Sequence, residues 1–238
     1  MKKNAFLLTL GLMLLSFSTS FAAEKPRLGV LRFTNQTSAG WWSGSMGSEL
    51  QDMLAAELAS IGAFQVLERK EIDAVLGEQD LGASGRIDSK TKAKIGKIKG
   101  AKYLVAGTVS AFEEQTSGGG GGISVMGFSV GGKSDKAYMA VDLKVIDTTT
   151  GEIADARTVE ASSSSTGLAL GASVGGVSGN LGQYEKTPTG KAIRACIMEI
   201  AEYLECSLVK GKNDSCMSEY AAKESTRRAK TKKSIQLD

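Results

Sequence analysis

The chain has 238 residues, 42% hydrophobic and 23% charged, which is enough apolar content for a packed core and excludes a disordered protein. Its formal charge of +3 falls to +1 once Lys2 and Lys3 are set aside (3 − 2 = 1), so the overall balance makes no case for a nucleic-acid binder. With no histidine, the chain lacks the commonest metal ligand and the commonest general base at neutral pH.

At the N-terminus, Lys2 and Lys3 precede an apolar run from Ala5 to Phe17 and small residues around Ser20, Phe21 and Ala22. This is the three-part pattern of a secretory signal over residues 1–22. Cleavage is expected after Ala22, and no cysteine near that site offers a point for lipid attachment. No later apolar run approaches the roughly 20 residues that a membrane helix requires. Arg27 to Phe33 reads as a short buried strand bounded by Pro26 and by a Thr-Asn-Gln-Thr run. Ser45 to Ile61 reads as a helix, with Met46, Leu50, Met53, Leu54, Leu58 and Ile61 on one face and Gly62 as its stop. A strand is expected over Phe64 to Leu67 and a short helix over Glu71 to Leu76. Leu81 to Asp88 has turn chemistry, and Asp88 or Ser89 can cap a lysine-rich helix reaching Ile98.

Tyr103 to Phe112 is the next strand. Ala137 to Ser165 then reads as two strands joined at Thr148 to Gly151, with Met139, Val141, Leu143 and Val145 alternating against Ala140, Asp142 and Lys144. If that pair is antiparallel, the glycine-rich segments Gly118 to Gly132 and Gly167 to Gly182 leave the same edge of one domain. Thr187 caps a final helix, with Pro188 at its first position and Ile193, Cys196, Ile197, Ile200 and Leu204 as its buried stripe. Ser215 to Asp238 shows little apolar periodicity and reads as a mobile, solvated tail, basic from Arg227 to Lys233. The fold class is therefore α/β, an α+β sandwich in which helices cover a mixed sheet, with core residues including Met53, Leu54, Val141, Leu143 and Ile197. Of the three cysteines, Cys206 and Cys216 are the preferred disulfide pair because Cys196 falls inside the last helix. Their spacing fits no usual zinc pattern.

An enzyme is not expected. The Gly118 to Gly122 run lacks the Gly-Lys-Ser/Thr of a phosphate cradle, and no nucleophile motif, metal set or cofactor fingerprint is present. Asp142, Asp147 and Thr148 to Thr150 have ordinary strand and turn roles.

An ordered series of segments, GVLRFTNQTSAGWWSGSMGSELQDMLAAEL, FQVLERKEIDAVLGEQDLGASGRID, AKIGKIKGAKYLVAGTVSAFEE, AVDLKVIDTTTGEI and EKTPTGKA, resembles the CsgG family, the curli production and transport component of the bacterial outer membrane. The likeness runs from Arg27 to Leu204. It implies a periplasmic α/β domain over residues 23–204 with hairpin insertions at about 113–136 and 162–184, followed by an extension over 205–238. It further implies a ring-like homo-oligomer whose hairpins share an outer-membrane barrel and which passes unfolded polypeptide without nucleotide hydrolysis. In that family the loop before the first helix builds a constriction. Trp41, Trp42 and Ser43 occupy it here, with Trp41 standing where the curli channel has asparagine, and without the family's upstream tyrosine; the alternative is that one tryptophan packs under the helix as a hydrophobic cap. Curli channels are lipidated at an N-terminal cysteine, and none is near the expected cleavage site, so a soluble periplasmic adaptor for an envelope complex is the alternative reading.

The glycine-rich segments themselves allow either surface loops or membrane hairpins. Ile123, Val125, Phe128 and Val130 supply apolar positions in the first, but Met126, Phe128 and Val130 compete with Ile123 and Val125 in a single alternating strand. In the second, Leu168, Leu170, Ala172 and Val174 oppose Ala169, Gly171 and Ser173. If these are barrel strands, Leu170→Arg should cost about 2–4 kcal/mol near the bilayer midplane while Ser173→Arg alters only conduction. Membrane fractionation of both variants, with circular dichroism as the folding control, checks this. Indistinguishable soluble, folded variants would leave these segments as loops.

Overall fold

The computed structural model describes residues 24–118, 123–125, 128–130, 132–168 and 187–234; the expected signal segment lies outside them. The core begins with β1 (Arg27–Val30), where Leu28 and Val30 are buried as the short apolar run dictates. It is followed by β2 (Thr34–Asn35), α1 (Met46–Ile61) and β3 (Gln65–Leu67). β1 pairs in parallel with β3 on one side and with β4 (Tyr103–Gly118) on the other, and α1 supplies the crossover that a parallel β1–β3 connection requires. β2 continues alongside β4, with the Thr34 and Thr108 hydroxyls 2.8 Å apart.

β4, β7 (Gly132–Asp147) and β8 (Ile153–Leu168) form the antiparallel half. Each is 16 residues long, and the six-stranded sheet runs β3-β1-β4-β7-β8 without closing. A separate two-stranded pair, β5 (Ile123–Val125) with β6 (Phe128–Val130), lies in sequence between β4 and β7. The β7–β8 turn is fixed by Asp147, whose carboxylate accepts from the Thr149 N–H at 2.7 Å, and by Gly151 at φ 75°. That backbone N–H holds the Asp147 carboxyl below its ordinary value.

α1 and α3 (Pro188–Glu205) cover one face of this sheet. Met139, Val141, Leu143 and Val145 are buried against them, while Lys144 is exposed and Asp142 accepts from Thr158 at 2.8 Å on the other face. α1 buries Met46, Leu50, Leu54 and Leu58, leaving Met53 and Ile61 only partly covered, and stops at Gly62 with φ 72°. α3 starts as its sequence dictates: the Thr187 hydroxyl accepts from the Gly190 N–H at 3.1 Å, and Pro188 loses no helical bond in the first turn. Its stripe of Ile193, Cys196, Ile197, Ile200 and Leu204 is buried throughout.

Three segments depart from the sequence expectation. The helix expected to end at Leu76 continues as α2 (Ile72–Ala83), so Leu81 is helical rather than part of a turn. The lysine-rich helix expected after Asp88 does not form. Asp88 caps one turn through Lys90 and Lys92, but every residue from 88 to 100 is exposed, Ile95 to 63%, and Gly96 at φ 76° breaks the direction. With no tertiary face to pack on, a segment this short cannot sustain a helix.

The third departure is the expected mobile tail, which is instead α4 (Ser215–Ser234). Ala221, Ala222, Lys223, Glu224, Arg227, Arg228 and Ala229 are strong helix formers, Glu224 pairs with Arg228 at i,i+4, and the cations crowd the C-terminal end, where the helix dipole favours them. One aromatic anchor docks it. Tyr220 is 7% exposed, stacks edge-on to Tyr203 at 5.1 Å, and its carbonyl accepts from Arg157 at 2.8 Å. A disulfide joins Cys206, in the π-helical turn after α3, to Cys216 in the first turn of α4, with 6.1 Å between their Cα atoms.

Gly107 gives the sharpest test of this packing. A Cβ built there would lie 2.3 Å from the ring of Phe33, which is itself 1% exposed. Gly107→Ala should destabilise the domain by about 1–3 kcal/mol through overpacking. Combining it with Phe33→Leu should cost less than the sum of the two single changes. Urea unfolding of the three variants measures the coupling, and strict additivity would show that the ring yields freely.

Candidate functional site

Beyond Phe112, Met139 and Ala161, which face one another across three strands, β4, β7 and β8 continue as a paired ribbon. The pairing reaches Gly118 opposite Lys133 and Gly132 opposite Leu168. Its register places Glu113 beside Tyr138 and Ser162, and then Lys136 beside Gln115 and Ser164. Both glycine-rich segments therefore depart from one end of the domain. Much of the second, including Leu170 and Val174, lies outside the described residues; Leu168 is the last described residue of β8.

The β5–β6 register resolves the conflict seen in the sequence. Ile123 is opposite Val130 and Val125 opposite Phe128, with Ser124 opposite Ser129. Opposed residues share a face and alternate positions share a face. In this register apolar residue is opposite apolar residue and serine opposite serine. Alternation fails across the whole segment because the chain reverses between the strands, which inverts the parity of the pattern.

The loop before α1 is anchored at the base of the ribbon. Asn35 organises it: its side-chain oxygen accepts from the Thr37 N–H at 2.9 Å and the Thr37 hydroxyl at 2.8 Å, and its amide donates to the Thr37 carbonyl at 3.1 Å. The Gln36 N–H donates to the Val109 carbonyl at 2.9 Å, and Arg32 donates to the Gly44 carbonyl at the far end of the loop. Trp41 turns inward. It is 6% exposed and meets Phe112 edge-on at 5.3 Å and Trp42 at 5.6 Å. Of the two alternatives, constriction or hydrophobic cap, the ring of Trp41 takes the packed one, sealed inside its own chain. Its indole N–H finds no acceptor among the described residues, a cost that the surrounding aromatic packing outweighs. Trp42 is half-buried and Ser43 exposed, so these two are the loop residues with surface to offer.

α3 reaches the same end of the domain, where Thr189 in its first turn donates to Glu114 in the ribbon at 3.0 Å. Along the β8 edge, Glu160 lies 4.0 Å from Arg227 and hydrogen-bonds Tyr138, whose hydroxyl is pushed up to about 12 by burial first and by Glu160 second. Glu224 is held down to about 2, chiefly by its hydrogen bond to Arg227. Sequence reasoning missed Phe112, Asn35, Glu114 and Arg157. Only Asn35 carried a local signal, as part of the turn-forming Thr-Asn-Gln-Thr run.

For chemistry, the donor sets are poor. Cys206, Asp214 and Cys216 bring ligand atoms within 4.8 Å of one another, but with both sulfurs joined in the disulfide neither is a thiolate able to bind a metal. Cys196 is buried, and burial pushes its thiol up to about 12, so it is inert as a nucleophile.

Comparison with known proteins gives a consistent family. The family described as curli production assembly/transport component CsgG matches residues 13–235. A Neisseria meningitidis serogroup B protein classed as a lipoprotein, NMB1126/NMB1164, is 29% identical over 143 residues. That alignment takes in 58% of this chain and spans 58% of the relative's length. Among solved structures, the hypothetical protein CT253 of Chlamydia trachomatis is 15% identical with a TM-score of 0.46, covering 79% of this chain and 99% of that one. A PelC dodecamer from Paraburkholderia phytofirmans is 13% identical with a TM-score of 0.36, covering 73% and 84%. Scores of this size carry no argument about function or assembly. The family match and the lipoprotein relative support an exported, envelope-associated protein.

The separate roles of the tryptophans are testable. Trp41→Ala should cost about 3–5 kcal/mol of stability and Trp42→Ala clearly less, measured by urea unfolding. Equal costs would mean that both rings belong to the core and that the loop offers no aromatic surface.

Proposed function

The chain belongs to the CsgG family, and from that membership and the form of its ribbon we propose that it is a subunit of a homo-oligomeric outer-membrane secretion channel of the curli transport type. The observation that carries this reading is the β4–β7–β8 ribbon, paired as far as Gly118, Lys133 and Leu168, with the β5–β6 pair in the segment between β4 and β7. Edge chemistry favours assembly. Beyond its contacts with β1 and β2, the outer edge of β4 has no strand partner among the described residues, and β8 pairs only with β7. Two open edges on one ribbon are complementary in a head-to-tail arrangement, and repeated rotation that closes makes a ring.

In this reading the ribbons of neighbouring copies pair edge to edge and together cross the lipid. Unfolded polypeptide diffuses through the central opening past Trp42 and Ser43, and no nucleotide is hydrolysed. The protein does no covalent chemistry, so its work is to hold a path open. A soluble periplasmic adaptor built on the same domain is the competing reading.

Native protein extracted from outer membranes should sediment with them, resist salt washing and show rings in electron micrographs. Recovery as a monomer in the osmotic-shock fraction would overturn the channel reading and leave the adaptor.

A further inference from the structure

The final turns of α4 carry Arg227, Arg228, Lys230, Lys232 and Lys233, and no acidic residue occurs from Ser225 to Ser234. Glu224 engages both arginines, 2.8 Å from Arg227 and 2.7 Å from Arg228. Lys230, Lys232 and Lys233 are exposed and have no ion-pair partner among the described residues. The described part of the helix therefore ends in a cationic surface that no described residue neutralises.

The direction of α4 gives that surface a location. Tyr220 is bonded to Arg157, and Arg227 faces Glu160. Seven helical residues rise about 10 Å and three strand residues about 10 Å, so α4 runs beside β8 in the same direction. Lys232 and Lys233 then lie a further 8 Å or so along, level with about Ser163 on β8, toward the end from which the ribbon leaves. From there to Leu168 is roughly 17 Å of strand. A headgroup layer of about 6 Å per leaflet and the reach of long lysine side chains close much of that gap.

We propose that the C-terminal end of α4 is a docking surface for an anionic lipid bilayer, with Lys230, Lys232 and Lys233 set against phosphate-bearing headgroups. The proposal rests on the reading that the ribbon end faces a membrane. Charge complementarity selects the occupant: among the described residues the exposed ammonium groups are interspersed only with small or polar ones, Ala229 and Thr231, and none there is the apolar anchor a protein partner would use. Each lysine near an anionic surface contributes roughly fivefold in partitioning, and the attraction fades within a Debye length of about 8 Å at physiological salt.

The test is co-sedimentation of the purified full chain with phosphatidylcholine vesicles and with vesicles that also contain phosphatidylglycerol, at low and physiological salt. The wild type should prefer the anionic vesicles. The triple variant Lys230→Gln, Lys232→Gln, Lys233→Gln should lose that preference by on the order of a hundredfold, with an unchanged circular dichroism spectrum. A variant that binds anionic vesicles like the wild type, or a wild type that binds duplex DNA in preference to vesicles, would overturn the proposal. Salt-resistant binding to neutral vesicles reports ribbon insertion and is independent of the lysines. Its absence beside intact charge-dependent binding would therefore overturn the channel reading while supporting the lipid contact.

Discussion

β7 is bonded along its length to β4 on one side and to β8 on the other, and that double pairing sets the position of nearly everything else. Within the core it carries the Met139 to Val145 stripe that α1 and α3 cover. Past the Met139 to Val145 stripe its two neighbours continue to satisfy its backbone groups as far as Gly118 and Leu168. The ribbon can leave the domain because the central strand is paired on both edges, so the open edges fall on β4 and β8, where another copy can reach them.

Three elements converge where the ribbon leaves the core. The loop before α1 seats Trp41 on Phe112, α3 ties Thr189 to Glu114, and the β8 edge gathers Tyr138, Glu160 and Arg227. None of these contacts is a catalytic arrangement. Together they tie the ribbon to the domain where it emerges, and in the proposed channel that anchoring would set the angle of the ribbon.

The central strands, α1 and α3 were legible because each has a clean period over many residues. Met139 to Val145 alternate, and Ile193 to Leu204 follow the helical repeat. What was illegible depended on distant partners. α4 lacks an apolar stripe, and its docking comes from Tyr220 meeting Tyr203 and Arg157, residues 17 and 63 positions earlier in the chain. The segment around Ile95 fails for the opposite reason: its local sequence permits a helix, but no tertiary surface receives it. Trp41 stayed open between constriction and cap because an aromatic beside glycine in a loop reads the same whether it faces inward or outward, and only Phe112 decides.

The bond between Cys206 and Cys216 also orders the maturation of the protein in time. Oxidation is available outside the cytoplasm, so a newly made chain crosses the inner membrane with its last helix untethered. The covalent link then closes a loop of only ten residues, which narrows the ensemble open to the unfolded terminus and favours the Tyr220 contact. The bond thus tethers the start of α4, and with it the direction of the helix that carries the cationic end, to the turn after α3.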